Sequence, residues 1–182
     1  NLEQTQKLLI EIFKIVPEYC RVMRVMRELP PEYIIAGTIR IDLRKDVEEI
    51  LRKNKTKIKE IRFREIGFAQ QYNKNNKINS NIKIKKIIYK ASKGEEIFIQ
   101  AVNKDNILFG LLRLRIPQKQ QILNPQISEL KNCAIIRELH VYGKSLGIGQ
   151  KSKNILEQHR GIGKILMNKA EDYVKNITSN SI

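Results

Sequence analysis

The sequence predicts an α/β (α+β) fold: a mixed, mainly antiparallel sheet with flanking helices, preceded by a small helical and strand appendage. Three observations predict it. Residues 82–116 hold three strand-like runs separated by short turn signals, the first 68 residues show helical spacing instead, and a long amphipathic helix closes the chain. With 182 residues, 41% of them hydrophobic and none of them Trp, the chain can bury one good core and a small accessory lobe.

The first helix is predicted from Leu8, Leu9, Ile12, Ile15 and Val16, which recur at helical spacing before Pro17. The chain begins with Asn1 inside this pattern, as a piece of something larger would. Arg21, Arg24 and Arg27 then alternate with apolar residues before Leu29-Pro30-Pro31, so a short basic strand or turn leads into a stop. A second helix is predicted from Asp42 as N-cap, with Leu43, Val47, Ile50 and Leu51 on one face. The boundary between lobes is expected near Gly67, giving an N-terminal appendage over 1–68 and the main domain over 69–182.

Gln70 to Ser80 is polar and Asn-rich enough to be a loop, after which Ile82-Lys83-Ile84-Lys85 alternates with the period of a half-exposed strand. Strands are predicted over Ile82–Lys90, Glu95–Asn103 and Ile107–Ile116, with Lys104-Asp105-Asn106 as a tight turn. A loop over Pro117–Lys131, a fourth strand over Cys133–Tyr142 and a Gly- and Lys-rich connection lead to a helix beginning near Gln158. Ile162, Ile165, Leu166, Ala170, Tyr173, Val174 and Ile177 give that helix an apolar face.

Thirty-five Lys and Arg against nineteen Asp and Glu leave a formal net charge of +16, which suits a polyanionic partner or reflects a Lys-, Ile- and Asn-rich composition inherited from an AT-rich genome. No acidic residue lies between Glu65 and Glu95, so the lysines there are not neutralised locally. Cys20 and Cys133 are too far apart in sequence for a Cys-x-x-Cys site, and no metal centre is expected. No apolar run is long enough for a membrane span and no secretory signal is present, so a cytoplasmic protein without membrane contact is the expectation.

Gln158-His159-Arg160-Gly161-Ile162-Gly163 carries the chemistry. Two glycines at the first turn of an amphipathic helix let backbone amides approach an anion, and the helix start favours phosphate oxygens; alternatively they merely ease a loop into a helix. A Rossmann turn wants three glycines and a parallel unit, and the P-loop glycine expected five residues before Gly143 is Glu138. Gln-x-x-Gly-x-Gly after a strand resembles the GNAT acetyltransferases instead.

The resemblance narrows with three segments in order: Ile107-Leu108-Phe109-Gly110-Leu111-Leu112-Arg113-Leu114-Arg115, Ile136-Arg137-Glu138-Leu139-His140-Val141-Tyr142-Gly143, and Gln158 through Met167. Upstream, Arg21-Val22-Met23-Arg24-Val25, Arg27-Glu28-Leu29-Pro30, Asp42-Leu43-Arg44 and Arg64-Glu65-Ile66-Gly67 agree too. Together they resemble the catalytic subunit of Elongator, a family that modifies the wobble uridine of tRNA.

That resemblance implies the end of a radical-SAM-type lobe over 1–68 and a GNAT-type acetyltransferase lobe over 69–182, lacking its last strands. It implies acetyl-CoA as cofactor and the anticodon region of tRNA as partner. Glu138, Leu139, His140 and Val141 would line the acetyl and pantetheine arm, and Gln158, Gly161, Ile162, Gly163 and Lys164 would meet the pyrophosphate. Glu138 and His140 are the candidate catalytic residues, with an ion pair to an arginine and an ordinary strand histidine as the alternatives. Arg21, Arg24, Arg27, Arg40, Arg62, Arg64, Lys83, Lys85 and Lys86 are candidates for RNA phosphates.

The family's iron–sulfur cysteines do not occur in this chain, so S-adenosylmethionine and a 4Fe-4S cluster belong only to the full-length pattern. Where some members carry a zinc-binding cysteine cluster, Ile58-Lys59-Glu60-Ile61-Arg62-Phe63 stands here. The missing parts are expected on another chain or from other Elongator-type subunits. The alternatives are a protein-lysine acetyltransferase of the same fold and a non-catalytic RNA-binding remnant.

Overall fold

A computed structural model describes all residues except 28, 73–77, 80, 118–132, 144–160 and 180–182, and no side chain is described for 178–179. The chain divides into two compact units, 1–74 and 75–182. The boundary expected at 68/69 falls inside a helix, α4 (Ile66–Tyr72).

The first unit holds α1 (Leu2–Ile15), α2 (Leu43–Lys53), α3 (Ile61–Arg64) and α4. Asn1 starts α1 with a reciprocal capping box to Gln4. The buried stripe of α1 shares Leu9 with the predicted one and departs from it elsewhere: Phe13 is in the core, with Leu9 and Ile10 packed beside it, whereas Leu8 and Ile15 are 62% and 79% exposed. Leu9–Phe13 and Leu8–Ile12 are equally helical spacings, so periodicity admits both stripes and the large ring decides which is buried. Phe13 packs with Leu43, Val47, Leu51, Ile58 and Phe63. Asp42 occupies the N-cap position of α2, but its side chain makes no capping bond. At the other end Lys55, at φ +52°, closes a Schellman turn through Lys55 N–H to Arg52 O at 3.0 Å and Thr56 N–H to Leu51 O at 2.9 Å.

Glu60 sets the geometry of this unit. It is fully buried and its carboxylate accepts from Phe63 N at 2.9 Å, capping α3, from Val22 N at 2.8 Å, and from Arg44 at 3.3 Å. Arg44, itself buried, also binds Glu48 at 2.8 Å and donates to Val22 O. Residues 21–27 therefore form no strand: side chains, not a neighbouring strand, take up the main-chain groups of Val22. The Arg52 guanidinium lies 3.8 Å from the centre of the Phe63 ring and 4.2 Å from that of Tyr72, and burial pulls its pKa down.

The second unit is a four-stranded antiparallel sheet in the order β1-β2-β3-β4: β1 (Lys83–Ala91), β2 (Gly94–Val102), β3 (Leu108–Pro117) and β4 (Ile135–Val141). The predicted meander is present. Ser92 and Lys93, at φ +45° and +55°, make the two-residue turn between β1 and β2, which pair up to Ala91–Gly94. Asn103 organises the next turn, its side-chain oxygen accepting from Asp105 N at 3.0 Å and Ile107 N at 2.9 Å. The last helix, α5 (Ile162–Ser179), starts later than the predicted Gln158, a residue outside those described.

Ile162, Leu166 and Ala170 of α5 are buried, but Ile165 is 44% exposed and leaves the predicted face. A residue three positions along turns through about 300°, and one four along through about 400°, so a stripe running by fours carries Ile165 off its edge. The helix meets β3 at Gly110, where a Cβ would lie 3.0 Å from His140 O, 3.0 Å from Ile162 Cγ2 and 3.2 Å from Leu166 Cδ1.

Two stability measurements check these contacts. Glu60→Ala leaves two amides and a guanidinium without their carboxylate, and urea denaturation should show a loss of about 3–5 kcal/mol in the first unit. Gly110→Ala forces α5 off the sheet and should lower the thermal midpoint by the equivalent of about 1–3 kcal/mol.

Candidate functional site

The start of α5 is set by Gly161, whose φ of +73° lies in the left-handed region and whose carbonyl accepts from Ile165 N at 2.9 Å. Among the described residues nothing lies within 4 Å of a Cβ built there. The first-turn amides have no intrahelical carbonyl to bind, and the helix dipole makes that end favourable for an anion. Buried Ile162 anchors the turn, exposed Lys164 follows it, and Gly163 lies 3.6 Å from Val141 Cγ2 when extended by a Cβ. The first turn of α5 is therefore held against the end of β4. Gln158 lies outside the described residues, as do His159 and Arg160 of the same motif.

Strand β4 divides the predicted quartet between its two faces. Val141 and Leu139 pair with Gly110 and Leu112, on the side where α5 packs; Glu138 and His140 pair with Arg113 and Leu111, on the other. A bulge intervenes: Arg113 pairs with Glu138 but Leu114 with Ile136, leaving Arg137 extra. The bond from Tyr142 N to Phe109 O at 2.8 Å fixes the phase of the ladder. Leu139 and Val141 consequently direct their main-chain groups away from β3.

Glu138 binds Arg113 at 2.7 Å, and that guanidinium lies 5.0 Å from the centre of the Phe98 ring. The ion-pair alternative for Glu138 is thus present. His140 is exposed, its ring 4.4 Å from that of Tyr142, and its imidazole has no hydrogen bond among the described residues. Beside them, buried Glu96 binds Arg115 at 2.8 Å and Arg137 at 2.7 Å. Sequence reasoning missed this cluster because its members come from three strands and the bulge alone turns Arg137 towards Glu96.

The nine cations singled out for RNA separate into groups. Arg21 is ion-paired with Glu65, whose pKa is raised by burial against the opposing effect of that arginine. Arg40 grips Asp46 at 2.8 and 2.9 Å and holds that carboxyl below its usual pKa. Arg62 lies 3.9 Å from Glu48 and 4.9 Å from the Phe68 ring centre; Arg64 is buried, donating to Lys59 O at 2.7 Å and Glu18 O at 2.9 Å. Arg24 and Arg27 are exposed with no such partner among the described residues. Lys83, Lys85 and Lys86 are exposed on β1, where the pleat puts Lys86 on the α5 side and the other two on the opposite side. No group of three or more His, Cys, Asp or Glu among the described residues is arranged to hold a metal ion, and no described helix is long and apolar enough to cross a membrane.

Tyr173 ties the far part of α5 to the sheet: its hydroxyl donates to Glu95 at 2.9 Å, and Lys86 Nζ lies 4.9 Å from its ring centre. Desolvation, reinforced by the Glu95 bond, pushes its pKa up to about 12. A phenol whose pKa is raised on folding binds its proton more tightly in the folded chain. Its contribution is thus complete below the ordinary value near 10 and lost as pH rises through about 12. Ultraviolet titration of the six tyrosines should show a late step that Tyr173→Phe removes.

Comparison with known proteins gives consistent relatives. The chain is 37% identical over 164 residues to a tRNA uridine(34) acetyltransferase of Dehalococcoides mccartyi, covering 90% of this chain and 34% of that protein. It is 32% identical over 165 residues to Elongator complex protein 3 of Dictyostelium discoideum, covering 90% and 28%. The solved structure of the archaeal Methanocaldococcus infernus Elp3 with an N-terminal deletion matches with a TM-score of 0.78 and 28% identity, over 97% of this chain and 41% of that one. No family model matches. The chain spans about a third of the length of the curated relatives it matches.

Proposed function

We propose that this chain, homologous over nine-tenths of its length to the tRNA uridine(34) acetyltransferases and Elongator complex protein 3, is the acetyl-CoA-binding part of an acyltransferase that modifies carbon 5 of the wobble uridine in tRNA. The observation that carries this is the glycine-led start of α5 held against the end of β4. The donor set fits coenzyme A. The first-turn amides at Ile162 and Gly163 would receive the pyrophosphate, with Lys164 adding charge at the rim. The outward main-chain groups of Leu139 would meet the amides of the pantetheine arm, and Val141 would flank it.

When bound, acetyl-CoA supplies the acetyl thioester. The chain's own residues orient it and handle protons. His140 is the better placed of the two candidates to hold or move a proton, because no carboxylate among the described residues fixes its imidazole. Glu138, held by Arg113, keeps negative charge at a fixed point beside it. Gln158 is proposed as part of the phosphate turn on its sequence motif.

For tRNA, Arg24, Arg27, Lys83, Lys85 and Lys86 are the exposed cations proposed to meet phosphates. Arg21, Arg40 and Arg62 could add to them only by sharing a cation already held by a carboxylate, and Arg64 acts from within the fold. S-adenosylmethionine and a 4Fe-4S cluster would be held by parts of the relatives outside the third matched here, on this or another chain, or among Elongator-type subunits. Such a protein would work in the cytoplasm.

Isothermal titration of acetyl-CoA into the chain, with and without tRNA, tests this reading. Binding should be lost in a Gly161→Glu, Gly163→Glu double variant while the thermal midpoint of its other unit is kept. Salt-sensitive tRNA binding with no acetyl-CoA binding would reject the acyltransferase and leave an RNA-binding remnant.

A further inference from the structure

Among the described residues, three arginines lie on the sheet face turned away from α5. Arg113 is held between Glu138, at 2.7 Å, and the Phe98 ring, and its side chain is 17% exposed. Arg115 donates to Glu96 at 2.8 Å, to Ala91 O at 3.2 Å and to Ser92 O at 2.8 Å, and its side chain is 12% exposed. Arg137 differs from both. Among the described residues its guanidinium makes one bond, from Nη1 to Glu96 at 2.7 Å, and 54% of its side chain stays in solvent.

The bulge makes this placement possible. In a regular strand Arg137 and Glu138 would point to opposite faces, whereas here both side chains lie on the face of His140. Arg137 thereby reaches past β3 to a carboxylate on β2, two strand spacings or about 10 Å away. Glu96 is buried and serves Arg115 and Arg137 through the same oxygen; its other oxygen, also buried, has no hydrogen-bond partner among the described residues. One negative charge is thus divided between two guanidiniums, and Arg137 is steered without being used up. Arg40, by contrast, commits two donors to Asp46. A guanidinium carries its N–H donors in a planar fork, so Arg137 keeps most of that fork free on a side chain whose long arm is already ordered.

Such a group suits a phosphate, whose oxygens pair with the fork, and ordering it beforehand lowers the entropy lost on binding. Arg137 stands three residues along β4 from His140, about 10 Å, too far to share a reacting atom. A nucleotide presented to His140 within an RNA strand brings flanking phosphates at that kind of distance. We propose that Arg137 is an RNA-binding residue that takes a phosphate flanking the reacting nucleotide, and that buried Glu96 is its positioning residue. This rests on tRNA being the acceptor.

Single variants of the full chain test this, with unmodified tRNA titrated across a salt series beside acetyl-CoA titration and thermal midpoints. Arg137→Gln should bind tRNA about tenfold more weakly, with the slope of log K against log salt reduced by about 0.7, and should bind acetyl-CoA as the parent does. Lys169→Gln removes the same charge from an exposed position on α5 and should stay close to the parent. Glu96→Gln raises the net charge by one, so attraction by charge alone predicts tighter tRNA binding; loss of the steering carboxylate predicts binding about threefold weaker. Arg137→Gln matching the parent in affinity and slope, or Lys169→Gln losing as much, would overturn the inference and leave the acyltransferase reading standing. Tighter tRNA binding in Glu96→Gln would overturn the positioning role. Should that variant not fold, Arg137→Lys decides the same point: an ammonium offers no fork, so full tRNA affinity in it would count against an oriented guanidinium. A parent chain that binds no tRNA would remove this inference together with the tRNA part of the proposed function.

Discussion

The second unit depends on one steric allowance, the missing side chain at Gly110. A helix laid on a sheet is normally kept away by the side chains beneath it. Here Ile162 and Leu166 come down onto bare backbone near the start of β3. That contact fixes the height of α5 above the sheet, and through Gly163 and Val141 it fixes where the start of the helix meets β4. A phosphate-binding turn needs glycines at the turn itself; keeping it in place needs a further glycine some fifty residues earlier in the chain.

The first unit shows a different use of charge. Its arginines are largely committed to carboxylates and carbonyls of its own fold, around a buried Glu60 that holds three separate stretches of chain together. Removing water from such groups is costly, and only dense hydrogen bonding makes the arrangement tolerable. The high net charge of the chain is therefore not a measure of how many cations are available to a polyanion. Among the described residues the exposed arginines outside ion pairs are Arg24 and Arg27, while exposed lysines occur in both units, Lys45, Lys53, Lys55, Lys57 and Lys59 in the first and Lys83, Lys85, Lys86 and Lys90 in the second.

The strands, their order of turns and the Gly-x-Gly helix start could all be read from the sequence, because each depends on local spacing or on residues with special backbone freedom. What could not be read depends on contacts between distant residues. Whether Leu8 or Leu9 faces inward on α1 is decided by the ring of Phe13 and the helix it meets. That Arg64 is buried while Arg24 is exposed follows from carbonyls at Lys59 and Glu18, which no pattern around either arginine reveals. That a strand runs over Cys133–Tyr142 was visible, but the bulge at Arg137 was not, since a bulge is defined by the register of two strands.

That bulge makes residue count, rather than residue identity, the sensitive variable near β4. Arg137 can change chemically and cost the fold only its bond to Glu96. Losing the position altogether would shift one side of the strand by a residue, turning either Ile135 and Ile136 or Glu138 and His140 to the opposite faces. Over evolutionary time this segment should therefore accept substitutions while resisting single-codon insertions and deletions, the reverse of what is usual for an irregular stretch of chain.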